Sequence, residues 1–152
     1  MRKKICLLLV IVLCAYGLLF VGAHKGPFTA YAPLRGQVFA VHAETVDAIC
    51  IQSGMSGVML EFDSPAEKEE MAQLLNGFTS HIGIPGNGGP GLPFAMGGWS
   101  YRIIIRDGDA QASYLIGPSW VKVNGMFFYG KRGYFKDVIA QVNAAEQAET
   151  GA

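Results

Sequence analysis

The segment that most constrains the fold runs from residue 99 to residue 135 and reads as a β-meander that leads into a helix. Two dipeptides, Asp107-Gly108 and Asn124-Gly125, lie between runs rich in β-branched and aromatic residues. Asp-Gly and Asn-Gly readily adopt the positive φ angles that a tight hairpin turn requires. The segment therefore predicts antiparallel strands joined by short hairpins.

The first strand of this meander has two chemically different faces. Tyr101, Ile103 and Ile105 alternate with positions that include Arg102 and Arg106. Alternation of this kind is typical of an antiparallel strand with one buried face and one solvated face. We expect the apolar residues to fill the core and the arginines to lie on the opposite face.

One further hairpin and two amphipathic helices complete the predicted domain. Residues 46–52 and 58–62 predict the hairpin, with a turn between them. Ser64 and Glu67 have the spacing of a capping box, so the first helix should begin there. Apolar residues at i, i+3, i+4 and i+7 are Met71, Leu74, Leu75 and Phe78 in the first helix and Phe135, Val138, Ile139 and Val142 in the second.

The predicted element order is ββα, a glycine-rich loop over residues 83–98, and then ββββα. Strands and helices are segregated along the chain, which favours an α+β fold with an antiparallel sheet and two helices packed on one face. We divide the chain into an N-terminal signal-anchor or transmembrane helix (1–23), a stalk or lead-in (24–43), an α+β domain (44–145) and a flexible tail (146–152).

An uncharged apolar run occupies residues 5–23 and follows Arg2, Lys3 and Lys4. A helix of this length rises about 28 Å, close to the roughly 30 Å hydrocarbon core of a bilayer. The basic residues keep the N-terminus in the cytoplasm, so we expect a single-pass protein of the cell membrane with its C-terminal domain outside. The small residues that end at Ala23 also suit a signal peptidase, and cleavage after Ala23 gives a secreted domain.

Charge and cysteine content narrow the classes of partner and the source of stability. Without the three basic residues of the leader, nine basic residues remain against twelve acidic ones, a net charge of −3. A general nucleic-acid binder should show a strong basic excess, so we expect no nucleic-acid partner. Cys50 is the one cysteine after residue 23, so the fold must depend on its core rather than on an intramolecular disulfide.

Three motifs that could indicate a dinucleotide site, a zinc site or a catalytic cysteine are better explained as loop or core residues. Residues 86–91 match G-x-G-x-x-G, but a proline inside the motif and a predicted strand after it do not fit a dinucleotide site. His42, Glu44 and His81 are too few for a well-defined zinc site. Cys50 lies on an alternating apolar strand, where a cysteine is a small buried hydrophobe. We therefore predict no catalytic residue, no cofactor, no metal ligand and no enzymatic activity.

The basic residues of the meander and of the chain just beyond it are the candidate interaction surface. They are Arg102, Arg106, Lys122, Lys131, Arg132 and Lys136. The same pattern also fits a solvated sheet whose charges prevent edge-to-edge aggregation. The aromatic residues of the meander are another lining for a ligand groove, although alternation places about half of them on the core face, where they fill volume.

The hairpin VDAICIQ…VMLEF, the capped helix DSPAEKEEMAQLLN, the strand WSYRIIIRDGD and the closing WVKVNGMFFY with its helix form a recognisable set. Together they resemble small uncharacterised extracytoplasmic domains of Gram-positive gut bacteria, which are held by an N-terminal membrane segment or a lipoprotein signal. The resemblance covers residues 44–143. It implies the same sheet-and-helix domain and a location outside the membrane, and it brings no catalytic residues.

Two functions from different classes follow from these expectations. The first is a non-enzymatic binding or interaction module at the bacterial cell surface, with an unknown protein or small-molecule partner. The alternative is a secreted inhibitor of an extracellular hydrolase that acts through the glycine-rich loop over residues 83–98. A third hypothesis is an enzyme, which requires Cys50 to meet His42 or His81 in one cleft.

Overall fold

The computed structural model describes residues 2–23, 26–30, 36–85 and 101–150. Within these residues there are three helices, α1 (Arg2–Ala23), α2 (Pro65–Gly77) and α3 (Lys136–Thr150). The strands in the same residues are β1 (Gly36–Gln37), β2 (Ala48–Ser53), β3 (Met59–Phe62), β4 (Thr79–Ser80), β5 (Ile82–Pro85), β6 (Tyr101–Asp107), β7 (Ala110–Gly117), β8 (Trp120–Val123) and β9 (Met126–Tyr129).

Seven strands form one sheet in the order β3-β2-β6-β7-β8-β9-β5, and each neighbouring pair is antiparallel. Strands β1 and β4 form a separate antiparallel pair. The predicted α+β class is therefore confirmed. The β2–β3 hairpin lies at one edge, next to the first strand of the meander. The strands β1 and β4 were not predicted, because two residues are too few to show an alternation. Strand β5 was not predicted because its glycine and proline resemble loop residues.

The turn at the end of the meander has the predicted backbone geometry. Asn124 and Gly125 have φ angles of 44° and 85°, the left-handed values that a type I′ turn needs. At the other tight turn, Gly108 has a φ of 54°. The carboxylate of Asp47 accepts a 2.7 Å hydrogen bond from the amide of Gly108, so the β2 side of the sheet holds this hairpin tip in place.

One face of the sheet packs against α2 and α3 to form the main core. The fully buried contributions from the central strands are Ile49, Ile51, Ile103, Ile105 and Ile116. The two predicted helical stripes supply the opposite side of this core. Leu75, Phe78, Phe135 and Val142 are all fully buried, and each such side chain contributes roughly 1.5–3 kcal/mol by leaving water. Seven of the eight predicted stripe positions are buried and Leu74 is partly buried, while Phe78 and Phe135 lie just outside the ends of α2 and α3.

The start of α2 also agrees with the sequence. Ser64 is the N-cap, and its hydroxyl oxygen accepts a hydrogen bond of 3.4 Å from the amide of Glu67. Pro65 occupies the first helical position, where its missing amide hydrogen costs nothing. The helix ends at Gly77, as the Asn-Gly pair predicts.

Part of the segment predicted as a stalk or lead-in, residues 24–43, packs into the domain. Phe28 and Phe39 are buried in the core. Near the end of α2, the side chain of Asn76 accepts a 2.8 Å hydrogen bond from the amide of Val41 and donates one of 2.7 Å to its carbonyl. The folded domain therefore begins earlier in the chain than the apolar periodicity indicates.

Strand β5 occupies the first residues of the segment predicted as a glycine-rich loop, so that prediction was wrong over residues 83–85. Gly83 pairs with Phe128 of β9. A Cβ at Gly83 would lie 3.0 Å from the Phe128 ring, so glycine lets the two strands pack closely. Pro85 is tolerated because β5 is the edge strand of the sheet.

Helix α1 lies against this edge of the sheet. The hydroxyl of Tyr16 donates a 2.8 Å hydrogen bond to the carbonyl of Gly83. Many large apolar side chains of α1 are exposed. Between Ile5 and Leu18, these side chains have 55–76% of their surface accessible to solvent. Among the described residues, no helix combines the length and the apolarity that a membrane span requires.

Helix α3 continues to Thr150, through most of the predicted flexible tail. The residues of this stretch are mainly alanine, glutamate and glutamine, which all favour a helix. The segment was predicted as a tail because it has no apolar stripe, whereas the helix continues through it and its residues Glu146 and Gln147 make interactions.

Candidate ligand-binding face of the sheet

The sheet face opposite α2 and α3, which we call the outer face, carries three of the six predicted basic residues. Arg102 and Arg106 alternate along β6 with residues of the main core, and so they lie on the outer face. Lys122 alternates in the same way along β8. The structure therefore agrees with the predicted separation of the apolar and basic faces in these strands.

The guanidinium group of Arg106 is already paired. Its Nη1 atom lies 2.9 Å from Oε1 of Glu61, a residue of the edge strand β3. Both side chains are more than one third exposed, so we expect this ion pair to contribute no more than about 1 kcal/mol. Arg106 is for this reason a weaker candidate than its sequence position suggests.

Arg102, in contrast, makes no hydrogen bond or ion pair with any described residue. Its exposed side chain lines a hollow of about 280 Å³ together with Gln52, Gly57 and Leu115. The residues recorded around this hollow include no carboxylate. A free guanidinium beside a hollow without negative charge is suited to bind a carboxylate or phosphate group, because it can donate two parallel hydrogen bonds.

Lys122 lies in the same cross-strand row as Arg102. The register pairs Arg102 with Leu115 and Leu115 with Lys122. Two strand spacings separate the two basic residues, about 10 Å between their backbones. Next in the row is Phe127, whose ring centroid is 5.2 Å from Nζ of Lys122. The row thus presents two cations and no carboxylate among the described residues.

Aromatic rings flank Lys122 on the outer face. Trp120 and Tyr129 are half-buried, while Phe127 is 9% exposed and lies between them. The ring centroids of Trp120 and Phe127 are 5.2 Å apart in an edge-to-face arrangement, and those of Phe127 and Tyr129 are 6.3 Å apart. Large rigid rings next to cations are typical of contact surfaces.

The other three predicted basic residues form a separate group. Lys131 and Arg132 lie in the connection between β9 and α3, and Lys136 begins α3. Ser119 fixes this connection with two hydrogen bonds. Its carbonyl accepts one of 2.9 Å from the amide of Gly130, and its hydroxyl accepts one of 2.8 Å from the amide of Gly133. These three residues therefore lie outside the strands that carry Arg102, Arg106 and Lys122.

Cys50 is fully buried on the outer-face side of β2, in a small cluster with Ala48 and Ile104. Burial raises the pKa of its thiol, and the nearby charges that act on it are those of Arg106, Glu61 and Asp63. Neither predicted histidine is among them. His81 belongs to the connection before β5, at the opposite edge of the sheet from β3. The structure does not bring Cys50 and His81 together.

The remaining motifs provide no further site within the described part of the chain. Nδ1 of His42 and Oε1 of Glu44 are 3.8 Å apart, with both side chains more than 70% exposed. Across residues 2–23, 26–30, 36–85 and 101–150, no group of three or more histidine, cysteine or acidic side chains is arranged to hold a metal ion. The G-x-G-x-x-G motif and residues 86–98 of the predicted inhibitory loop lie outside the described residues.

A second concavity, of about 530 Å³, lies between α2 and α3. Met71, Leu74 and Val138 contribute apolar surface, and Glu67, Glu70 and Asp137 contribute carboxylates. Glu67 and Asp137 lie in the first turns of their helices, where they stabilise the helix dipoles. The positions of these two residues therefore have a structural explanation that requires no ligand, and three carboxylates make the concavity unsuited to an anion.

Part of the outer-face site could be predicted from the sequence. The alternation of Trp120 and Lys122 with buried valines places both side chains on one face, so their proximity could be predicted. No pattern in the sequence predicts that Gln52 and Gly57 lie near Arg102. They reach Arg102 because β2 pairs with β6, and a single sequence does not specify this pairing of distant segments.

Comparisons with protein-family models, with curated proteins and with solved structures found no match to this chain. The functional inference therefore depends on the geometry of the outer face.

Proposed function

We propose that this protein is a non-enzymatic binding module at the bacterial cell surface, which contacts an anionic ligand through the outer face of its sheet. The observation that carries the proposal is the state of Arg102. It is an exposed guanidinium without a partner among the described residues, beside a hollow whose described lining contains no carboxylate. Lys122 lies in the same row and adds a second positive charge.

The contrast between the two arginines of β6 strengthens this proposal. A surface cation that serves only solubility does not have to lie beside a hollow. Arg106, on the same face, is neutralised by its ion pair with Glu61. Arg102 has neither a carboxylate nor another described partner. Water hydrates such a guanidinium group when no ligand is bound. A ligand with a carboxylate or phosphate displaces this water and accepts charge-assisted hydrogen bonds from the guanidinium group.

The proposal includes attachment to a membrane through the apolar run of residues 5–23. This part of the proposal rests on the sequence, because no helix among the described residues meets the length and apolarity of a span. The apolar side chains described along α1 are exposed and need a non-aqueous environment. A bilayer is suited to cover them, and the basic residues before them set the orientation. Insertion requires the hydrogen bond from Tyr16 to Gly83 to break, since a residue in the middle of a membrane span is too far from an external domain. The docked and inserted positions of α1 therefore exclude each other.

Site-directed photo-crosslinking tests the proposed contact surface. A photo-reactive side chain replaces Ser113, which is exposed on β7 near the Arg102 row. A second variant carries the same group at Gln73, which is exposed on α2. Full-length protein in the envelope of the organism that makes it is then irradiated. We expect an adduct from position 113 and none from position 73.

The dependence of the adduct on charge is the decisive result. Arg102→Gln in the position-113 variant should reduce the adduct about tenfold, since a charge-assisted hydrogen-bond pair is lost. Arg132→Gln is the matched control, because Arg132 is an exposed arginine outside the outer face. Equal adduct yields for the two substitutions, or an adduct that forms only from position 73, would contradict the proposal.

A further inference from the structure

The indole of Trp120 lies flat across the sheet, over the backbone of Gly117. The two residues are direct partners in the β7–β8 pairing. A Cβ at Gly117 would lie 2.4 Å from both Cε2 and Nε1 of the indole and 2.8 Å from Cζ2. Only glycine leaves room for a ring in this position. One face of the indole therefore rests on the sheet, and the opposite face is turned away from it.

This flat ring is next to Lys122 and on the same face as Arg102. Trp120 and Lys122 are neighbours on the outer face of β8, about 7 Å apart along the strand. Arg102 lies two strands away in the row of Lys122. A ligand that covers the indole and extends towards the hollow therefore passes Lys122 first and Arg102 second.

We propose that the ligand of the outer face is an acidic polysaccharide, whose sugar ring stacks on Trp120 and whose carboxylates bind Lys122 and Arg102. This inference rests on the proposed function and specifies its ligand class. A pyranose ring presents a face of C–H groups with partial positive charge, which complements the negative π face of an indole. A polymer with a carboxylate on successive sugars also supplies the separated negative charges that the two cations require.

The geometry favours a glycan over single-stranded nucleic acid, which also combines stacking with negative charge. Proteins that bind single strands stack successive bases on several open rings and carry a basic groove along the backbone. Here Phe127 is 9% exposed, and Trp120 and Tyr129 are half-buried, so the outer face does not present a series of open rings. The whole chain has equal numbers of basic and acidic residues, which provides no general attraction for phosphates.

Binding of full-length protein in detergent to three polymers tests the inference. The probes are polygalacturonate, the same polymer with its carboxylates methyl-esterified, and a thymidylate homopolymer. We expect polygalacturonate to bind, the esterified polymer to bind about tenfold more weakly or less, and the thymidylate to bind more weakly than polygalacturonate at every salt concentration.

Two variants locate the binding. Trp120→Ala should weaken polygalacturonate binding about tenfold through the loss of stacking. Arg102→Gln should weaken it by a similar factor, and its exposed side chain makes it the safer variant for folding. Arg132→Gln should leave the affinity unchanged. The melting temperature of each variant shows whether it has folded.

The possible failures are distinguishable. The glycan inference is overturned if polygalacturonate does not bind, if esterification does not weaken binding, or if the thymidylate binds more tightly. In those cases an Arg102-dependent adduct at position 113 still supports an outer-face binding module with a different ligand. The absence of that adduct contradicts the proposed function itself.

Discussion

Tyr114 carries the one buried side-chain polar atom without a hydrogen-bond partner among the described residues, and it allows a sharp test of the core. Its side chain is 5% exposed, and its ring packs edge-on against Phe39 at a centroid distance of 5.2 Å. A buried hydroxyl that lacks a partner loses its hydration without compensation, a penalty of about 1–3 kcal/mol. Tyr114→Phe removes the hydroxyl and keeps the ring. We therefore expect the free energy of unfolding at neutral pH to rise by about 1 kcal/mol.

The same residue predicts how stability depends on alkaline pH. Burial raises the pKa of Tyr114 to about 12 from its usual 10.0, and a contact with the backbone of Phe28 acts in the opposite direction. The geometry of that contact is too poor for a hydrogen bond, so the hydroxyl still counts as unpaired among the described residues. The folded state therefore holds this proton more tightly than the unfolded chain. Ionisation of Tyr114 does not affect the free energy of unfolding below pH 10. As the pH rises from 10 to 12, the unfolded chain loses this proton first, and the free energy of unfolding falls. At pH 11 the loss amounts to about 1.4 kcal/mol.

Urea denaturation of wild type and Tyr114→Phe at pH 8 and pH 11, followed by tryptophan fluorescence, measures both effects. The advantage of the variant should grow by about 1.4 kcal/mol between the two pH values. Tyr101→Phe is the matched control at pH 8, because the hydroxyl of Tyr101 donates a 2.6 Å hydrogen bond to Asn143. That variant should lose about 1 kcal/mol. A Tyr114→Phe variant as destabilised as Tyr101→Phe would show that the Tyr114 hydroxyl is bonded, and would refute the reasoning.

Three further predictions concern the elements that frame the sheet. Ser64→Ala removes the N-cap of α2 and should cost about 1 kcal/mol of unfolding free energy, whereas Ser64→Asp should restore it. Asn76→Leu leaves the amide and carbonyl of Val41 without their partners, so it should cost about 2–3 kcal/mol; a loss below 0.5 kcal/mol would show that this junction is not important. With the cysteines of α1 replaced by alanine, the buried Cys50 should react with a maleimide only in denaturant, and rapid labelling of native protein would contradict its burial.

The parts of the fold that could be predicted are those specified by local sequence. The Asn124-Gly125 turn, the Ser64 cap and the Phe135 stripe each depend on residues a few positions apart, and all three have the expected structure. The packing of Phe28 and Phe39 against the sheet could not be inferred, because it depends on contacts between distant segments. Strand β5 was missed because its glycine and proline resemble loop residues, and its pairing with β9 is also long-range.

The candidate site shows the same division. Alternation alone places Arg102 and Arg106 on the outer face, and it treats them as equivalent. Their difference comes from Glu61, which belongs to the edge strand and reaches Arg106 across β2. The hollow beside Arg102 likewise depends on the turn after β2. Sequence can therefore identify the face of the sheet, whereas the pairing of β2 with β6 determines which cation on it is free.

The most direct test of the account follows the indole Nε1–H resonance of Trp120 by NMR during titration of isotope-labelled, full-length protein with polygalacturonate. Trp120→Phe assigns the signal against that of Trp99. We predict that the Trp120 resonance and the backbone amides of Arg102 and Lys122 shift together as the polymer is added, while those of Lys131 and Arg132 stay in place. Shifts confined to residues 131–136 or to α2 and α3, with the Trp120 resonance unchanged, would contradict binding at the outer face.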